Sequence, residues 1–141
     1  MIKSATSKDR SGPSQPAPSA TAQVVLVVED EPVIRELILE VMQDRGCQCL
    51  QAADGNAALA MVRSHANIDL LITDVGLPGL DGRRLAEQAQ ARIPTLHVLF
   101  ITGYAEDSIV ELVGPGTRMG MLPKPFGVED LLRAVRGLLP S

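Results

Sequence analysis

Short apolar runs recur along the chain at intervals of about 25 residues. Residues 24–28 (VVLVV), 70–73 (LLIT) and 97–101 (HVLFI) show almost no polar alternation, a pattern typical of parallel strands that are covered on both faces. Weaker runs at 47–52 and 119–122 predict two more strands. The pattern therefore predicts five short strands.

A stretch with helical spacing of apolar residues follows each predicted strand. The first helix is expected to begin at Pro32, which suits a first helical turn, and to stop at Gly46. The other four are predicted at 54–64, 81–91, 106–113 and 128–139. The expected buried faces of the first and last helices comprise Val33, Ile34, Leu37, Ile38, Val41 and Met42, and Val128, Leu131, Leu132, Val135, Leu138 and Leu139.

Regular alternation of strand and helix predicts the fold class. It favours parallel strands joined by right-handed crossovers, with helices on both faces of the sheet. We expect an α/β doubly wound, flavodoxin-like (βα)5 domain with the strand order 2-1-3-4-5. Residues 1–22 are rich in Ser, Pro, Ala and Thr and predict a disordered tail, which leaves residues 23–139 for the domain.

Composition narrows the classes of function. The chain has 141 residues, of which 45% are hydrophobic, enough for one domain with an aliphatic core. Its net charge is -4 and aromatic residues are only 2%, so neither a basic surface nor a stacking platform for nucleic acid is expected. No apolar run approaches the length that spans a bilayer, and the first 22 residues lack a signal-peptide core.

The cysteines do not suggest a metal centre. Cys47 and Cys49 form the sequence's one cysteine pair, and only His65 and His97 could supplement them, so a structural zinc site lacks ligands. Two buried, reduced thiols are expected instead, in a cytoplasmic protein.

Acidic, hydroxyl and basic side chains follow four of the five predicted strands. Glu29 and Asp30 follow the first, Asp74 ends the third, Thr102 ends the fourth and Lys124 follows the fifth. In isolation Asp74 could simply cap a turn. In this fold, however, all five residues meet at one edge of the sheet, where the clustered carboxylates need a counter-charge and suit Mg²⁺. A carboxylate surrounded by a metal, a lysine and a hydroxyl can attack phosphorus, so the predicted product is an aspartyl phosphate.

The motifs around these residues resemble those of a known family. They are the acidic pair Glu29 and Asp30, the stretch DVGLPGLDG that begins at Asp74, ITGYA around Thr102, and LPKPF around Lys124. Over residues 23–139 the chain resembles the receiver domains of two-component response regulators, either single-domain proteins or the terminal receivers of hybrid histidine kinases.

The resemblance implies a function in phosphorelay signal transduction. A histidine kinase or histidine phosphotransfer protein would donate a phosphoryl group to Asp74, and Thr102 and Lys124 would bind the phosphate. The peptide bond between Lys124 and Pro125 would be cis. The Mg²⁺ ligands implied are Asp30, Asp74, the backbone carbonyl of Gly76 and, through water, Glu29.

Two positions depart from the pattern of the family. Met121 stands three residues before Lys124, where receivers that switch strongly usually carry Tyr or Phe. Tyr104 could instead screen the phosphoryl group, or could be an ordinary loop aromatic. The early break of the fourth helix at Gly114-Pro115-Gly116 alters a face that many receivers use for output or dimerisation.

Three functions are compatible with this fold: a phosphoacceptor, a phosphohydrolase and a pseudo-receiver. We expect a phosphoacceptor rather than a conventional turnover enzyme, a monomer or weak dimer, and no DNA-binding output domain, nucleic-acid partner or membrane partner. A small Mg²⁺-dependent phosphohydrolase on the same kind of fold is the alternative, but Glu29-Asp30-Glu31 lacks the Asp-x-Asp spacing of enzymes similar to haloacid dehalogenases. A pseudo-receiver that binds partners without phosphate is disfavoured by the complete site.

Overall fold

The computed structural model describes residues 22–65, 67–103 and 107–139, with the backbone alone at 107 and 108. Strands and helices alternate through the described residues in the predicted order. The elements are β1 Val24–Val28, α1 Pro32–Asp44, β2 Gln48–Ala52, α2 Gly55–Ser64, β3 Leu70–Asp74, α3 Gly82–Arg92, β4 His97–Thr102, α4 Asp107–Val110, β5 Met119–Pro123 and α5 Val128–Leu138. The tail predicted for residues 1–22 lies outside the described residues except for Ala22.

The five strands form one parallel sheet in the order β2-β1-β3-β4-β5. This confirms the predicted doubly wound fold and its strand order. Strands β1 and β3 are neighbours whose following helices pack on opposite faces, so a crevice opens between their carboxyl ends. Within the described residues, no helix combines the length and apolar character that a membrane crossing requires.

Apolar side chains fill both faces of the sheet. Leu26 and Phe100 pack on the face that α2 and α3 cover, together with Leu85. Val27 and Ile72 pack on the opposite face, which α1 and α5 cover. The central strands are buried on both sides for this reason, as their uninterrupted apolar runs predicted.

Some of the side chains that were expected to be buried lie at the surface. Val33 is 81% exposed and Val128 is 45% exposed, because each belongs to the first turn of its helix, next to the loops at the edge of the sheet. Leu39, which was not predicted, is buried instead. Cys47 is a buried free thiol as predicted, but Cys49 is only partly buried because β2 is an edge strand.

The fourth helix is shorter than predicted. It covers only Asp107–Val110, whereas the spacing of apolar residues predicted 106–113. The N–H of Gly114 donates to the carbonyl oxygen of Met119 at 3.2 Å, and the two residues form an antiparallel bridge. The glycines and proline of this segment therefore turn the chain back against β5 instead of extending the helix. Tyr104 lies outside the described residues.

Candidate functional site

Strand register brings the predicted site residues to one edge of the sheet. Asp74 is the last residue of β3 and pairs with Ile101 of β4. Thr102, the last residue of β4, pairs with Pro123, and its carbonyl oxygen accepts a 2.7 Å hydrogen bond from the N–H of Lys124. These pairings bring the carboxyl ends of β3, β4 and β5 together at the same edge of the sheet.

Asp74 is held by contacts on both carboxylate oxygens. Its Oδ1 accepts a hydrogen bond from the N–H of Gly76 at 3.1 Å, and its Oδ2 lies 3.2 Å from Nζ of Lys124. Helix α3 starts directly against the backbone of Asp74, because a Cβ atom at Gly82 would overlap the carbonyl oxygen of Asp74. The motif thus supplies a glycine at the point where a side chain could not fit.

Lys124 is the cationic centre of the site. Its Nζ lies 3.2 Å from Oδ2 of Asp74, 3.4 Å from Oε1 of Glu29 and 3.9 Å from Oε1 of Glu31. Burial alone would lower the pKa of Lys124, but the hydrogen bond and charge of Asp74, with those of Glu29, outweigh it and raise the pKa. The ammonium group therefore stays charged. The bond between Lys124 and Pro125 is cis, as predicted.

Glu29 is an almost fully buried acid, with 1% of its surface exposed. Its Oε2 accepts a 3.2 Å hydrogen bond from the N–H of Glu31, whereas its Oε1 accepts none from the residues that the structure describes. Burial raises the pKa of Glu29 to about 7; the hydrogen bond from Glu31 opposes this rise and the charge of Asp74 adds to it. The charge of Lys124, whose Nζ lies 3.4 Å from Oε1, also lowers this pKa but does not cancel the effect of burial.

The acidic residues form a cluster that suits a divalent cation. Carboxylate oxygens of Glu29, Asp30 and Asp74 all lie within 4.8 Å of one another. Asp30 is exposed and Asp74 partly buried, so the cluster opens to solvent on one side. These hard oxygen ligands, which include a buried carboxylate oxygen that accepts no hydrogen bond from the described residues, fit Mg²⁺. Gly76 lies on the adjoining loop and is exposed.

The remaining site positions differ in exposure. Thr102 is 2% exposed at the end of β4. Met121 lies on the edge strand β5 and is 38% exposed, so its side chain is not part of the buried core.

Sequence reasoning missed two contributors to this site. Glu31 lies within ion-pair distance of Lys124, and its place in the acidic run Glu29-Asp30-Glu31 was an available signal. Arg35 donates from Nη1 to the backbone carbonyl oxygen of Glu29 at 2.7 Å. No pattern of spacing indicates a contact of that kind, because it depends on how the loop after β1 folds.

A parallel (βα)5 sheet with an acidic cluster and a lysine at its carboxyl edge defines an α/β signalling domain of the receiver class. The chain belongs to the response regulator receiver domain family, whose sequence model matches residues 25–136. It is therefore a receiver domain of two-component systems, as its motifs indicated.

Named relatives share this domain in proteins of different length. The chain is 33% identical to the sensor kinase CckA of Brucella abortus (strain 2308) over 116 residues. These residues cover 82% of this chain and 12% of the kinase. It is 34% identical over 126 residues to the transcriptional regulatory protein PdtaR of Mycobacterium tuberculosis (strain CDC 1551 / Oshkosh), covering 88% of this chain and 60% of PdtaR. Sporulation initiation phosphotransferase F of Bacillus subtilis (strain 168) is 31% identical over 119 residues, which cover 82% of this chain and 93% of that protein.

Solved structures agree in fold and sequence. The receiver domain of the hybrid histidine kinase CckA superimposes with a TM-score of 0.71 at 37% identity, covering 82% of this chain and 98% of that domain. The chemotaxis response regulator CheY4 of Vibrio cholerae gives a TM-score of 0.72 at 30% identity, covering 84% of this chain and 100% of CheY4.

Proposed function

We propose that Asp74 accepts a phosphoryl group from the phosphohistidine of a histidine kinase or histidine phosphotransfer protein, and that the phosphorylated domain binds a downstream protein differently. The observation that carries this proposal is the 3.2 Å contact between Oδ2 of Asp74 and Nζ of Lys124, beside a carboxylate cluster only 4.8 Å across. Among the three carboxylates of that cluster, Asp74 is the one that ends a central strand.

Each residue of the site has a separate role in the proposed phosphoryl transfer. A carboxylate oxygen of Asp74 attacks phosphorus while the bond between phosphorus and the donor imidazole nitrogen breaks, and the nitrogen keeps the electron pair. The ammonium of Lys124 and the hydroxyl of Thr102 bind the equatorial phosphoryl oxygens. Asp30, Asp74, the carbonyl of Gly76 and, through water, Glu29 would hold Mg²⁺, which when bound supplies positive charge to carboxylates and phosphoryl oxygens alike.

The proposal also covers the setting in which the domain works. Residues 23–139 act as one receiver domain in the cytoplasm, as a monomer or weak dimer, and neither nucleic acid nor membrane is a partner. The chain accepts one phosphoryl group and then dephosphorylates itself, rather than acting as a conventional turnover enzyme. The family match over residues 25–136 supports the receiver-domain part of this proposal.

The direct test is incubation with acetyl phosphate and Mg²⁺ followed by intact-mass measurement. The wild-type chain should gain one phosphoryl group, and Asp74→Asn should gain none. Asp81→Asn is the matched control, because Asp81 lies in the same motif but caps α3 by accepting a hydrogen bond from the N–H of Arg84. Rapid turnover of a small phosphate ester without a stable phosphorylated form would overturn the proposal in favour of a phosphohydrolase.

A further inference from the structure

The guanidinium group of Arg35 connects the acidic loop to the neighbouring strand. From the first half of α1, its Nη1 donates to the backbone carbonyl oxygen of Glu29 at 2.7 Å, and its Nε donates to Oε1 of Gln51 at 3.1 Å. A planar fork can make two such bonds at once in a fixed geometry, which an ammonium group cannot do.

These bonds complete the fixation of Glu29. The N–H of Glu29 donates to the carbonyl oxygen of Ala52 in β2 at 3.2 Å. Its carbonyl oxygen accepts from Arg35, which is itself bonded to Gln51 of β2, so both backbone polar groups of Glu29 are connected to β2. Its carboxylate in turn accepts from the N–H of Glu31. The chain is therefore held on both sides of Asp30, which bears one of the three carboxylates of the cluster.

We propose that Arg35 is a positioning residue for the divalent-cation site: its fork fixes the turn after β1 so that the carboxylates of Glu29 and Asp30 stay close to that of Asp74 before any cation binds. This inference rests on the proposed function, since it concerns the same site. A cation site whose ligands are already in place avoids the entropy of ordering them on binding.

Electrostatics gives the inference a definite sign. Arg35 carries a permanent positive charge close to the acidic cluster, and this charge repels Mg²⁺. If charge alone mattered, removal of Arg35 would therefore strengthen Mg²⁺ binding. The positioning role predicts the opposite, because a loop that has lost its anchor presents its carboxylates in many arrangements. Loss of a partner that orients a metal ligand typically weakens binding by about tenfold or more.

The experiment measures Mg²⁺ binding itself, with no phosphoryl donor present. Magnesium chloride is titrated into the wild-type chain and its variants, and the dissociation constant is read by calorimetry and by the NMR shift of the Gly76 amide. Arg35→Gln should weaken binding by about tenfold, and Arg35→Lys, which keeps the charge but not the fork, should lie between it and the wild type. Far-UV circular dichroism confirms that each variant is folded.

Arg45→Gln is the matched control. Arg45 is the C-cap residue directly after the same helix, at the end far from the site. Its Nη2 also donates to a backbone carbonyl oxygen, that of Leu139 at 3.3 Å. Its loss should leave the Mg²⁺ constant unchanged. Wild-type affinity in Arg35→Gln, tighter binding, or an equal loss in Arg45→Gln would overturn the positioning role while leaving the proposed function intact. Absence of Mg²⁺ binding by the wild-type chain would overturn both.

Discussion

Glu29 should destabilise the metal-free domain at neutral and alkaline pH. The carboxyl group is 1% exposed, and burial raises its pKa from 4.5 to about 7. The folded chain therefore holds this proton more tightly than the unfolded chain does. Below about pH 4.5 Glu29 is protonated in both states and costs no stability. Between about pH 4.5 and 7 the group ionises in the unfolded chain while it stays protonated in the folded chain, so stability falls over this range and stays low above it.

The size of the effect follows from that pKa difference. Each tenfold change in proton affinity corresponds to about 1.4 kcal/mol, so the rise costs the folded state about 3 kcal/mol once the pH is well above 7. Glu29→Gln removes the ionisable group but keeps its shape. We expect the variant to be more stable than the wild type by up to about 3 kcal/mol at about pH 8.5, and by close to zero at about pH 4.5.

Urea denaturation followed by circular dichroism measures this difference in chelator. Added Mg²⁺ should narrow or reverse it, because only the wild-type carboxylate can share in holding the cation. Glu40→Gln, at an exposed position on α1, controls for the loss of one surface carboxylate. If Glu29→Gln differed from the wild type by the same amount at both pH values, ionisation of Glu29 would not be the cause of the difference.

Three further predictions concern other parts of the site and the core. Gly82→Ala should lose about 1–3 kcal/mol of stability in urea denaturation, since its Cβ would overlap the carbonyl of Asp74; an unchanged midpoint would contradict the packing described. Lys124→Ala should lose most of its labelling by acetyl phosphate in intact-mass measurements, because the ammonium group that lies 3.2 Å from Asp74 is gone; wild-type labelling would refute the role. Burial raises the pKa of Cys49 to about 11 and also raises that of Cys47, so both should react with iodoacetamide at neutral pH far more slowly in the folded chain than in urea; equal rates would contradict this.

The sheet and the placement of the site were predictable because each depends on short local patterns. A strand buried on both faces shows an uninterrupted apolar run, and β1 and β3 have such runs. Once the strand order is known, the residues that follow each strand must meet at one edge. Asp74 and Lys124 could therefore be placed together although 50 residues separate them.

Features that depend on where an element meets its neighbours were not predictable. Helical spacing correctly indicated that Ile38 lies on the buried face of α1, but it could not show that Val33, in the first turn, is exposed to solvent. The length of α4 was overestimated because the bridge between Gly114 and Met119 is a tertiary contact. The fork of Arg35 is likewise set by the folded loop, and a surface arginine on a helix carries no signal of it.

The central claim is that Asp74 itself carries the phosphoryl group, and trapping of the acyl phosphate tests it most directly. The chain is phosphorylated with acetyl phosphate and Mg²⁺, reduced with borohydride, which converts an aspartyl phosphate to homoserine, and mapped by peptide mass spectrometry. We expect homoserine at position 74 and an unmodified acidic run at Glu29, Asp30 and Glu31. Reduction at one of those acidic residues, with Asp74 intact, would contradict it.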